Sequence, residues 1–146
     1  MGKRITIEIV SILGISLAAA YAIMLGVVLA FGTALSDAFG EAARFLFGSL
    51  VAGIALWTLL VIVLAITLRR RGEGVRIAAH LGAALLAVLL NVALYAANVP
   101  PGSGMEQLIV GIAAGAGAIL MLGAIVGVVV TELVILRPRS RTAAAR

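Results

Sequence analysis

"FLFGSLVAGIALWTLLVIVLAITL", residues 45–68, carries no charged side chain. About 20 apolar residues in a helix cross the hydrocarbon of a bilayer, and this run is long enough to do so. The rest of the chain has the same character. Apolar tracts also lie between Lys3 and Arg44, from Ile77 to Met105 and from Gln107 to Thr131, interrupted only by Glu8, Asp37, Glu41 and His80. Hydrophobic residues make up 64% of the 146 residues and charged ones 12%, against about 25% charged in an ordinary soluble domain. The tracts do not alternate apolar and polar, so they are not transmembrane strands. The sequence therefore predicts an all-α integral membrane protein with spans at about 9–32, 44–68, 76–98 and 107–136.

Immediately after the quoted run comes "RRRGEGVR", residues 69–76. With four spans this loop shares a side with both ends of the chain. Of the eleven Lys and Arg residues, Lys3, Arg4, Arg69, Arg70, Arg71, Arg76, Arg137, Arg139, Arg141 and Arg146 then fall on that side. Arg44 alone falls on the other, with Asp37, Glu41 and Glu106. The positive-inside rule makes the basic side cytoplasmic. The expectation is a multi-pass protein of a bacterial-type cytoplasmic membrane, with both termini cytoplasmic and 137–146 as a basic cytoplasmic tail. The "MGKR" start and "SLAAAYA" suit a signal peptide, but Glu8 and a tract running on to Phe31 favour retention as a helix.

Loops this short favour antiparallel neighbours, hence a single up-down-up-down four-helix bundle. Thr33 to Ala43 has room for little more than a helical turn, capped by Ser36 or Asp37. "NVPPGSG" ends the third helix and precedes the fourth. Arg4-Ile5 and Arg76-Ile77 open two similar hairpins, a likeness that the charge rule alone accounts for.

Small residues recur at four-residue spacing: Gly14, Ala18, Ala22 and Gly26 in the first span, Gly111 with Gly115 and Gly123 with Gly127 in the fourth. Such small-xxx-small faces let helix backbones approach closely in lipid, and they are expected to pack helices within or between chains. Two polar groupings stand out. His80, Asn91, Tyr95 and Asn98 lie along one side of the third span as a polar membrane track; hydrogen-bonding glue between helices is preferred over a conduit. Glu8, His80 and Glu132 fall at one inner-leaflet level, a donor set able to hold a divalent metal or relay a proton. Ion pairing with Arg4, Arg76 and Arg137 is the preferred account, and no metal and no cofactor are expected.

The chain contains no HExxH, GxSxG, P-loop or CxxC motif, so no catalytic residue is assigned and no enzyme is expected. The basic tail has no aromatic residue for base stacking; anionic lipid headgroups, not nucleic acid, are its expected partner. Small multidrug transporters and dual-topology fluoride channels also have four spans. The first centre on a membrane-embedded Glu and the second balance their loop charges, so neither resemblance holds here. The leading expectation is a non-catalytic accessory or scaffold subunit packed against other membrane subunits. The alternative is a homo-oligomeric transporter or channel.

Overall fold

The computed structural model describes residues 2–100, 102 and 104–136. Four helices follow one another: α1 (Gly2–Ala30), α2 (Leu35–Thr67), α3 (Glu73–Asn98) and α4 (Glu106–Val130), the last continuing into a π-helical turn, Thr131–Leu136. All four are long and apolar enough to cross a membrane. The basic tail expected at 137–146 lies outside the described residues.

The helices form a closed ring in which α1 and α3 each pack against both α2 and α4. Along two of these seams, α2–α3 and α3–α4, the contacts run in opposite directions. Gly48 and Gly53 of α2 meet Tyr95 and Asn91 of α3 in reversed order, and Arg76 and Val88 of α3 meet Glu132 and Gly117. The interior is filled by Trp57, Ile12, Leu46, Leu50, Leu120 and Val128, all fully buried. Many large apolar side chains remain on the outside, among them Val51, Leu59, Leu89 and Leu122. That is the reverse of a soluble surface and suits contact with lipid.

Two helices start earlier than their apolar tracts. α1 begins at Gly2 and not near residue 9, and α2 begins at Leu35 and not near 44. The α2 extension exists because Ala38 and Ala42 continue the buried line of Leu46 and Leu50 down the same face. Most of the 33–43 connection is therefore helix. Ala34 occupies the N-cap with no side-chain hydrogen bond, so the expected Ser36 or Asp37 cap is replaced: both residues sit inside the first turn. The reversal is made by Gly32, whose φ of 87° only glycine adopts freely. Thr33 Oγ1 then donates to Glu41 across the turn at 3.2 Å.

The small-residue faces divide in two. Gly123 and Gly127 are buried against α1; a Cβ at Gly127 would strike Ser16 Oγ and lie 2.8 Å from the Ile12 carbonyl oxygen. Gly14, Ala18, Ala22 and Gly26 all point away from the bundle. The line of α1 that faces inward is Glu8, Ile12, Ser16, Ala20, Met24 and Val28. Gly111 and Gly115 are likewise exposed.

Candidate buried ionisable site

The polar track dissolves into separate helix contacts. Asn91 is buried, and its side-chain amide brackets one hydrogen-bonded step of α2. Its Oδ1 accepts from the Gly53 amide at 3.1 Å and its Nδ2 donates to the Ser49 carbonyl at 2.9 Å. Gly53 makes this possible, since a Cβ there would stand 3.0 Å from Asn91 Cβ. Tyr95 donates to the Gly48 carbonyl at 3.0 Å. Asn98 is exposed and donates to the Leu94 carbonyl of its own helix. Buried amides in lipid need partners, and Asn91 finds both of its partners on the backbone of α2.

His80 belongs to a different group. It lies one turn beyond Arg76 on the inner face of α3, so both side chains meet the end of α4. There the helix widens into the π turn, and Thr131 and Glu132 are both fully buried. From α1 comes Glu8, the first residue of that helix's inward line. Glu8, His80 and Glu132 each offer a ligand atom, and these atoms all lie within 4.8 Å of one another. None of the three side chains is more than 1% exposed. Sequence reasoning had matched their depth; the structure also turns all three toward one point.

Arg76 completes the group. Its Nε donates to both carboxylate oxygens of Glu132, at 3.0 and 3.2 Å, and its Nη2 donates to Oε2. This forked pairing is the strong form of an Arg–carboxylate bond, and it bears out the expected arginine partner for Glu132. Arg4 does not serve Glu8 in the same way. It is exposed and makes no ion pair with Glu8 among the described residues. Arg137 lies outside the described residues. His80 Nδ1 stands 2.8 Å from the Arg76 carbonyl oxygen, which can only accept, so Nδ1 carries a proton.

Several buried polar atoms have no hydrogen-bonding partner among the described residues: Glu8 Oε1, His80 Nε2, Thr131 Oγ1, Ser16 Oγ and Trp57 Nε1. The first three belong to this site or adjoin it. Thr131 is not singled out by the sequence, whereas Ser16 lies two turns from Glu8 on one four-residue line. A cavity of about 270 Å³, lined by Arg4, Ile5, Glu8, Arg69 and Arg70, borders Glu8 at the helix ends.

Compared with protein-family models, with curated proteins and with solved structures, the chain matches none.

Proposed function

We propose that this chain is a non-catalytic accessory subunit of a bacterial-type cytoplasmic membrane, crossing it four times up-down-up-down with both termini cytoplasmic. Its outer α1 face would receive a transmembrane helix from a different chain. The observation that carries this reading is the outward turn of Gly14, Ala18, Ala22 and Gly26. All four are exposed, and a Cβ at Gly14 or Gly26 would meet nothing within 4 Å. In lipid, apolar side chains gain nothing by leaving the bilayer for each other, so helices associate where small residues let backbones approach. The bundle leaves that face open along about three turns of α1. Anionic headgroups would cover the opposite chemistry, the exposed Lys3, Arg4, Arg69, Arg70 and Arg71 at one end. The hydrogen bonds of Asn91 and Tyr95 to the α2 backbone favour packing over the transporter alternative along this part of α3.

The orientation rests on the charge asymmetry. A reporter active only outside the cytoplasm is expected to be silent when fused after Arg146 and active when inserted at Gly102. The reverse pattern would refute the proposed sidedness.

The accessory role predicts a separation of folding from assembly. Gly26→Leu is expected to leave thermal stability in detergent unchanged, because the added side chain points into open space. It is expected to abolish co-purification of the partner chain from mild detergent, read by mass spectrometry of the intact complex. A variant that keeps its fixed-ratio partner rules out the α1 face as the contact, and a wild type that recovers only copies of itself rules the accessory reading out.

A further inference from the structure

The geometry points to a binding site for one divalent transition-metal ion of the Zn²⁺ type, held by Glu8, His80 and Glu132. This inference is independent of the accessory role, which concerns the opposite face of α1. The donor set is one imidazole nitrogen and two carboxylates, a mixture suited to Zn²⁺ or Mn²⁺. Side-chain preparation supports the same conclusion. A metal-ligating histidine characteristically donates its other ring N–H to a carbonyl or carboxylate, which fixes the tautomer and the ring plane. His80 does this, giving its Nδ1 proton to the Arg76 carbonyl. The nitrogen left for a ligand is Nε2, fully buried and without a hydrogen-bonding partner among the described residues.

Glu132 is oriented in a comparable way. Arg76 holds the carboxylate from one side through its fork, and Oε1, which accepts from Nε alone, retains a further lone pair. Arg76 is thus a positioning residue as well as a counter-charge. Among the described residues its hydrogen bonds go to Glu132 and not to Glu8. Glu8 Oε1 is buried and has no hydrogen-bonding partner among the described residues, and Arg4, the next cation on its own helix, is exposed. An acceptor buried without compensation is costly, and a cation seated between Glu8, His80 and Glu132 supplies that compensation.

Backbone geometry and access fit as well. Glu132 is presented by the π turn Thr131–Leu136, a distortion frequent at functional sites. Tetrahedral bonds of about 2.0–2.2 Å place ligand atoms about 3.3–3.6 Å apart. The present separations of up to 4.8 Å therefore need side-chain shifts of about 1 Å. Three protein ligands leave a fourth position open, the arrangement of an exchangeable site and not of a sealed structural one. A cavity lies directly beside Glu8, on the side of the cluster nearest the helix ends.

The test uses the full chain in detergent, stripped with a chelator and titrated with Co²⁺ as a visible-spectrum probe, then with Zn²⁺ in competition. The expected result is saturation at about one ion per chain, with Glu8→Gln and His80→Gln each weakening affinity at least about tenfold. Asn98→Ala, on the exposed end of α3, should bind as the wild type does. Two results overturn the proposal: no saturable binding, or equal binding by all of these proteins, which would mean an adventitious ion only. A third is an infrared carboxylic-acid band that Glu8→Gln removes in a chain that takes up no metal, which would place a proton where the ion is proposed. Pulsed electron-spin spectroscopy of the Cu²⁺-loaded wild type guards against a variant that fails to fold. Nitrogen coupling from an imidazole is expected, and its absence refutes the site.

Discussion

Gly127→Ala is expected to lower the stability of the bundle by about 3 kcal/mol, the upper part of the range for overpacking a filled interior. The reason is what a single added carbon would meet. At Gly127 it would strike Ser16 Oγ and lie 2.8 Å from both the Ile12 carbonyl oxygen and the Ser16 amide nitrogen. Gly123 is similar, with Ala20 Cβ at 2.8 Å, Ala20 N at 2.9 Å and the Ser16 carbonyl oxygen nearer still. Most of these obstacles are backbone atoms of α1, which cannot rotate aside. The helices would have to separate along the whole seam, losing the close packing that holds helices together in lipid. Gly14→Ala and Gly26→Ala are the controls. Both sites are open, and alanine is the better helix former by about 1 kcal/mol, so neither should destabilise the protein. Thermal unfolding in one detergent, followed by circular dichroism, measures all three. An unaltered midpoint for Gly127→Ala would show that α1 and α4 are not joined along this face.

The contrast between those glycines also shows where sequence reading stops. Two lines of four-residue period run down α1, one through Gly14, Ala18, Ala22 and Gly26, the other through Ile12, Ser16, Ala20 and Met24. The first has the smaller residues and reads as the packing face; the second is the one buried in the bundle. A signal for the correct register was present, because Glu8 and Ser16 both lie on the second line and a polar side chain turns from lipid to protein. In α4 the small pair Gly123 and Gly127 does face inward, since there the partner's backbone comes close enough to need it. Existence and order of the spans were legible from uncharged tracts such as 45–68, because hydrocarbon thickness sets their length. The α2 extension from Leu35 was not, since it depends on Ala38 and Ala42 finding neighbours in other helices.

The site was legible in depth and not in rotation. Glu8, His80 and Glu132 sit near span ends that share one side, which placed them at one level. Whether they face each other depends on how each helix turns about its axis, and no single helix encodes that. The π turn carrying Glu132 has no signature in "TELVIL", residues 131–136. The Asn91 clamp was legible only as a need: a deep amide requires partners, but Ser49 and Gly53 become those partners through the register of α2 against α3.

Arg76 and Glu132 should show strong coupling, with each single replacement far worse than the double. Their side chains are 5% and 0% exposed, so removing either partner strands a charge in the interior. Breaking a buried pair in this way costs about 3–5 kcal/mol, whereas replacing both members with apolar residues of similar volume is often close to neutral. Arg76→Met and Glu132→Leu should therefore each lower stability by about that amount, and the double variant should recover most of the loss. The two singles are not expected to be equal. In Glu132→Leu, the long Arg76 side chain lies in the first turn of α3 and can extend toward the headgroups, keeping its charge wet. In Arg76→Met, the shorter Glu132 stays fully buried, with a ligand atom within 4.8 Å of one from Glu8. Two carboxylates then share a site with no cation between them, so Arg76→Met should be the more damaging change. Denaturant unfolding in detergent, with chelator present so that bound metal does not contribute, measures all four proteins. If the two single losses simply add in the double variant, the forked pair carries no coupling, and α3 and α4 are held together by packing alone.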